Sequence, residues 1–187
     1  MNIIQGDLLK SRDPVIAHQV NCIMTRMGKG LYEAICQKYP YGHIYETRRE
    51  HRKKPGRAIH QDISEPGELI ICRPHHDPNP SFFTVKHRPI IVGLCGQYAP
   101  GGSISHQDYM QNPRLSGDTD LQREEWFQMS LDNLHNFMIT EGHTSVGIPY
   151  NIGCGIAGGD WENYYNMLLN LAKRSKGRYT INLYKIN

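Results

Sequence analysis

The stretch Gly147 to Trp161, GIPYNIGCGIAGGDW, constrains the fold of this chain more than any other. Residues that read as the end of a buried strand run into Asn151. Gly153, Gly155, Gly158 and Gly159 then open a loop, and helix-forming residues resume at Trp161. Strand, glycine loop, helix is an anion-binding layout. Glycines let successive backbone N–H groups point at one guest without a Cβ in the way, and the following helix adds the positive end of its dipole. The guest of such a loop is a phosphate or diphosphate, and the alternative is a tight strand-to-helix turn with no ligand. A side chain at Gly153 is expected to block the loop without unfolding the chain.

A second loop of the same kind bears on that choice. Val15 to Asn21, VIAHQVN, alternates as a strand with Ile16, His18 and Val20 on one face, so His18 looks inward. It is read either as a hydrogen-bonded core residue or as a proton-transfer group. After Asn21, Gly28 and Gly30 stand directly before a helix marked by Leu31, Ile35 and Tyr39 at helical spacing. Two such loops can meet around one elongated anion if their strands are close in a sheet. Lys29, between the two glycines, either adds charge or is simply exposed.

The remaining elements alternate strand and helix. Asn2 to Leu9, NIIQGDLL, reads as a strand ending at a turn that carries Asp7, either a turn cap or a ligand contact. Glu68 to Arg73 and Pro89 to Gln97 read as buried strands, the second so apolar that both of its faces should be covered. Tyr41 to Arg57 carries Arg48, Arg49, Arg52, Lys53, Lys54 and Arg57. It reads as the solvated face of a short helix and its exit, or as a basic surface for nucleic acid. His75, His76 and Asp77 lie on a proline-flanked loop too poorly preorganised for a metal site, and no metal or other cofactor is expected. Ala99 to Gly117 is polar and, at about nineteen residues, longer than usual connections, which predicts a lid or a disordered segment. A helix from Thr119 opens with a capping box to Gln122, buries Phe127, Leu131, Leu134 and Met138, and stops at Gly142. Thr144 to Tyr150 is a strand. Trp161 to Ala172 is a helix with Trp161, Tyr165, Leu168 and Ala172 on one face, and Tyr179 to Ile186 is a closing strand.

This order predicts an α/β sandwich, a largely parallel or mixed sheet with helices on both faces and the glycine loops at the carboxyl ends of strands. A length of 187 residues fits one domain. The net charge of +3 is too mild to argue for nucleic acid by itself. Five cysteines without metal spacing read as reduced thiols, and no targeting or membrane-spanning run is present, so a soluble cytoplasmic protein is expected.

The succession QGDLL at Gln5 to Leu9, VIAHQVNC at Val15 to Cys22, MGKGL at Met27 to Leu31 and GIPYNIGCGIAGGDW at Gly147 to Trp161 resembles the macrodomains, the ADP-ribose-binding family. The resemblance covers nearly the whole chain. It is nearest to the branch that includes ADP-ribose 1''-phosphate phosphatases and ADP-ribosyl glycohydrolases. It implies a single macrodomain over residues 1–187, a three-layer α/β/α sandwich with a mixed central sheet. It also implies a monomer, off the membrane, whose partner is ADP-ribose, one of its derivatives or ADP-ribosylated macromolecules.

Residue by residue, the resemblance implies that Asp7 accepts from the adenine amino group with the Leu8 backbone beside it, and that Asn21 holds hydroxyls of the distal ribose. Gly28, Lys29, Gly30 and Leu31 would line that ribose and the diphosphate. Gly153, Cys154, Gly155, Ile156 and Ala157 would wrap the phosphates, and Tyr184 would pack on the adenine. The implied activity is metal-independent hydrolysis at the distal ribose, removing a 1''-phosphate or an ADP-ribosyl group, with Asp160 and His18 as catalytic candidates. The alternative is a noncatalytic ADP-ribose reader. The chain departs from glycohydrolases that form a covalent sugar adduct. Their lysine after the central strand is matched by Gln97 or Tyr98, and their loop aspartate by Ala157; Lys86 precedes the strand and does not fill the gap. Asp160 also reads as a helix N-cap.

Overall fold

The alternation along Val15–Asn21 sets the layers. In the computed structural model, which describes residues 1–74, 87–103 and 117–186, Val15 and Ala17 enter one buried apolar cluster while Ile16 and Val20 enter another on the opposite face. The strands are β1 (Asn2–Gln5), β2 (Val15–Asn21), β3 (Glu50–His51), β4 (Lys54–Ala58), β5 (Leu69–Cys72), β6 (Ile90–Gln97), β7 (Ser145–Pro149) and β8 (Thr180–Lys185). The helices are α1 (Leu31–Lys38), α2 (Asp120–Thr140) and α3 (Trp161–Ser175). Six strands form one sheet in the order β1-β8-β7-β2-β6-β5, parallel throughout except for β5, which runs antiparallel to β6. Tyr32, Ile35 and Cys36 of α1 pack on one face; Phe127, Leu131, Leu134 and Met138 of α2 and Leu168 and Leu171 of α3 pack on the other. The fold is thus the expected three-layer α/β/α sandwich with a mixed sheet.

The helix starts follow their sequence signals. Thr119 caps α2 with the full reciprocal box to Gln122, and its side chain is buried. Asp160 caps α3, accepting from the backbone of Glu162 and Asn163. α3 runs on to Ser175, and the residues it buries are Tyr164, Leu168, Leu171 and Ser175; Trp161, Tyr165 and Ala172 are only partly buried at the edge of that stripe. Tyr164 stacks on Phe127 with ring centroids 4.4 Å apart, which fixes α3 against α2.

The first strand ends at Gln5, and the turn expected after it is a 3-10 turn at Leu8–Lys10 capped by Asp7. One reading is corrected: Tyr41 to Arg57 is not a helix and its exit. A 3-10 turn at Pro40–Gly42 leads to the antiparallel ribbon β3–β4, and Gly56 within it has a φ of 80° that a helix does not allow. Arg48 is not solvated either. It is buried and donates to the carbonyls of Asn21 and Met24 and to the Ser64 hydroxyl. Residues 75–77, Lys86 and most of the expected lid, 104–116, lie outside the described residues. No helix among the described residues is long and apolar enough to cross a membrane.

Because the Thr119 cap is buried, Thr119→Ala should lower unfolding free energy by ~1 kcal/mol with an unchanged denaturant slope. Urea unfolding checks this, and an unaffected midpoint would mean the cap is replaced by another donor–acceptor pair.

Candidate functional site

Strands β2 and β7 are adjacent only at their starts. Their ladder pairs Val15 with Val146 and Ile16 with Gly147, whereas β2 stays paired with β6 as far as Asn21 and Gln97. Beyond β2 the chain turns to α1 on one face; beyond β7 it turns to α3 on the other. Neighbouring strands whose connections leave in opposite directions open a crevice at their carboxyl ends. A cleft of about 530 Å³ lies there, lined by Asp7, Leu8, His18, Gln19, Lys29, Leu31, Tyr32, Pro149, Tyr150, Asn151, Ile152, Gly153, Tyr184, Lys185 and Ile186.

One end of the cleft is held by a buried polar cluster. Asp13 accepts from the Tyr184 hydroxyl at 2.8 Å and from Asn182 at 2.7 Å. That bond aims the Tyr184 hydroxyl into the protein and fixes the ring in the cleft wall. Burial, then the bond to Asp13, pushes its phenol up to about 12. Asp7 lines the same end while its Oδ1 accepts from the Leu9 backbone at 2.9 Å, so turn cap and cleft residue are one group. Tyr150 packs against Trp161 at 4.6 Å, with the Lys185 ammonium 4.9 Å from the centre of its ring. Lys29 and Lys185 give the cleft positive charge.

The floor is made by His18 and Gln19. His18 is 2% exposed and stacked on Tyr32 at 5.7 Å; burial lowers its pKa to about 4, against a smaller opposing effect of a bond to the Gln19 backbone. The ring is therefore neutral at physiological pH. Gln19 donates to Gln97 at 2.8 Å, and Gln97 donates to the Ala99 carbonyl at 3.0 Å. Gln97 is thus committed to this amide chain.

The glycine loop is anchored from below. The buried Arg123 of α2 grips Asp118 with two bonds of 2.7 Å. Its remaining N–H groups reach the carbonyls of Gly101 at 2.7 Å, Ala157 at 2.9 Å, and Ala99 and Gly102 at 3.3 Å. Asp118 in turn accepts from the Ala99 backbone at 2.9 Å. One ion pair thereby ties the glycine loop to the segment after β6. Neither residue stands out in the sequence, because a helical arginine and a lone aspartate read as surface groups; only the capping box just after Asp118 marks the place.

The site residues expected from sequence divide accordingly. Asp7, Leu8, His18, Lys29, Leu31, Gly153 and Tyr184 line the cleft; Asn21, Gly28, Gly30, Cys154, Gly155, Ile156, Ala157 and Asp160 do not. Gly28 and Gly30 flank Lys29 at the rim. Asn21 is buried and committed internally: its Nδ2 donates to the Tyr45 hydroxyl, and its Oδ1 accepts from the Ile23 and Met24 backbones. It shapes the loop leading to Gly28. Asp160 is exposed and caps α3. Its charge also contributes to raising the Cys154 thiol to about 11, after burial, which puts the carboxylate beside the glycine loop. The expectation that Gly153 tolerates a side chain is corrected. Its φ is 75°, and a Cβ would meet Tyr164 at 2.4 Å and Gln19 Oε1 at 2.6 Å, so substitution would disrupt the fold itself. Gln19, Tyr32, Tyr150, Asn151 and Ile152 were missed, although Tyr150 to Ile152 sit inside the stretch that drew attention first. Asn151 takes a left-handed φ of 60°, the only positive φ at a non-glycine among the described residues.

A neutral buried histidine links stability to pH. Its folded pKa of about 4 lies below the ordinary 6.5, so the unfolded chain takes up a proton that the folded chain refuses. The stability is complete above pH 6.5 and is lost as pH falls toward 4. By pH 5 the loss due to His18 should be about 2 kcal/mol. Urea unfolding at pH 7.5 and pH 5 should show it as the difference between the parent and His18→Phe; equal slopes in both would mean that His18 is protonated in the fold.

No family model and no curated protein matches the sequence. Solved structures do. The macrodomain of Mycobacterium tuberculosis DarG is similar with a TM-score of 0.67 at 17% identity, over 98% of this chain and 95% of that one. Thermosipho africanus DarTG, solved in complex with ADP-ribose, gives 0.66 at 14% identity over 99% of this chain and 41% of that one. The Trypanosoma brucei macrodomain, in complex with ADP, gives 0.58 at 11% identity over 98% and 62%. The chain has the macrodomain fold.

Proposed function

We propose that this chain is a single macrodomain, residues 1–187, that binds ADP-ribose, free or attached to a macromolecule, in the cleft between β2 and β7. The observation that carries this reading is the cleft's position, at the point where β2 and β7 part, with one glycine loop entering from each strand. The loops around Gly28 to Leu31 and Gly153 to Ala157 supply backbone N–H groups for a diphosphate, with Lys29 and Lys185 at the rim. Asp7 and Leu8 meet the adenine, and the Tyr184 ring packs on it. The ADP-ribose and ADP complexes of two structural neighbours support the same ligand class.

Binding without chemistry is the reading these side chains support best. By the resemblance, Gln97 or Tyr98 and Ala157 stand where covalent catalysis needs a lysine and an aspartate, and the amide of Gln97 is tied to Gln19 and Ala99. Hydrolysis at the distal ribose, of a 1''-phosphate or an ADP-ribosyl bond, is the second reading. One observation favours it: the exposed Asp160 carboxylate lies beside the phosphate loop, and both of its cap bonds fall on Oδ1. His18 would then serve beneath the same pocket. All five cysteines are free thiols, which fits a cytoplasmic protein.

Calorimetry should give micromolar affinity for ADP-ribose, about −7 to −8 kcal/mol, with AMP much weaker. A Cβ at Gly28 or Gly155 meets no close atom, and neither has a left-handed φ. Gly28→Glu and Gly155→Glu should therefore fold and lose binding. Unchanged affinity in both would remove the site.

Catalysis is read separately, by mass analysis of products from ADP-ribose 1''-phosphate and from ADP-ribosylated protein. Asn caps a helix as well as Asp does, so Asp160→Asn should keep stability. If Asp160 is catalytic, that variant should lose at least about a hundredfold in turnover with ADP-ribose affinity kept. Absence of any product from the parent leaves the reader function alone.

A further inference from the structure

Strand β1 ends the six-stranded sheet, and among the described residues it pairs on one side only, with β8. The Gly6 N–H donates to the Lys185 carbonyl at 3.0 Å. The two-residue alternation of a parallel ladder then turns the backbone groups of Asn2 and Ile4 toward β8 as well, and those of Ile3 and Gln5 outward. An open edge is a template for another strand, which natural sheets blunt with charge or proline. β1, NIIQ, carries neither, and Ile3 is 52% exposed.

The helix beside this edge carries a charge pattern that narrows the choice of occupant. Ile3 pairs with Leu183, which lies in the apolar cluster shared with α3, so Ile3 stands on the α3 face of the sheet. It shares a groove there with Tyr165, Leu169 and Lys173 of α3 and with Lys176 just past its end. Glu162, one turn before Tyr165, continues the same stripe and is exposed, as are both lysines. Glu162 is seven residues before Leu169 and Lys176 is seven after it; Tyr165 is four before and Lys173 four after. Turned end for end about Leu169, the stripe is its own complement: Glu162 meets Lys176, Tyr165 meets Lys173, and Leu169 meets itself.

We propose that β1 and the Glu162-to-Lys176 stripe form a two-fold interface between two copies of this chain, in place of the monomer that the resemblance implies. A two-fold axis perpendicular to the sheet satisfies both elements together. It joins the β1 edges antiparallel, so that Ile3 exchanges both backbone bonds with Gln5 of the second copy, and it sets the two α3 helices side by side and antiparallel on one face. Each basic helix end then meets an acidic start, and each Lys173 ammonium meets a Tyr165 ring. An acidic peptide on the same edge would suit the lysines but face Glu162 with like charge, so the stripe selects a second copy. The clefts lie at the carboxyl ends of the strands and therefore open at opposite ends of the pair, each complete within one chain.

Sedimentation equilibrium over a concentration series tests this on the unmodified chain, whose mass should rise to that of two chains. Leu169→Glu places two carboxylates on the axis and should give a single chain throughout. Ile3→Pro removes only an outward N–H, a place where an edge strand tolerates proline, and should do the same while urea unfolding shows an intact fold. Glu162→Lys should weaken pairing by about tenfold, because two lysines then meet twice per pair, and adding Lys176→Glu should restore it. A single chain at every concentration would overturn the proposal. Pairing that survives Leu169→Glu and Ile3→Pro would place the interface elsewhere and overturn it too, and failure of the double charge exchange to restore pairing would overturn the antiparallel match of the helices. ADP-ribose binding should be the same in all four variants, so its loss in the unmodified chain counts against the cleft and not against this interface.

Discussion

The bidentate pair between Arg123 and Asp118 holds the working end of the molecule together. Their side chains are 3% and 5% exposed, and a buried guanidinium is tolerable only when its donors are used. Here they are used on carbonyls from two separate segments, Ala99 to Gly102 and Ala157. Neither segment has regular secondary structure, so these bonds, with the Gln97 and Asp118 bonds to Ala99, fix the positions of their backbones. The consequence travels inward. Ala99 orients Gln97, Gln97 orients Gln19, and Gln19 presents an oxygen under Gly153. A fixed charge 3% exposed in α2 thus sets the orientation of an uncharged amide packed under the glycine loop.

The topology supplies the rest. β7 leaves β2 after two paired residues, and the helices that follow the two strands pack on opposite faces. This opens space at the carboxyl ends and aims two glycine loops into it. The lining divides by chemistry: aromatic and acidic at Tyr184 and Asp7, basic at Lys29 and Lys185, neutral at His18 and Gln19. Adenine, diphosphate and ribose call for surfaces of those kinds.

What the sequence disclosed depended on whether the signal was local. The glycine loops, the capping box at Thr119 and the inward direction of His18 follow from spacing over a few residues, and the structure places them as read. Asp7 was open between cap and contact, and it is a cap that also lines the cleft. The ribbon at Glu50 to Ala58 was misread as a helix because a run of charged residues outweighed the Pro55-Gly56 turn signal within it. Arg48, Arg123 and Gln19 were out of reach for another reason. Their partners lie at distant positions in the chain, and nothing in the neighbouring residues announces a buried arginine or an oriented amide. The bonds of Asn21 to Tyr45, Ile23 and Met24, which make it part of the loop's frame, were out of reach in the same way.

A crystal structure of the chain with ADP-ribose tests the central claim most directly, that the space between β2 and β7 is an ADP-ribose site. Density for the ligand is expected along that cleft, with the adenine against Tyr184 and the diphosphate between Lys29 and Gly153. Ligand density at any other surface, with this cleft unfilled at saturating ADP-ribose, would contradict it.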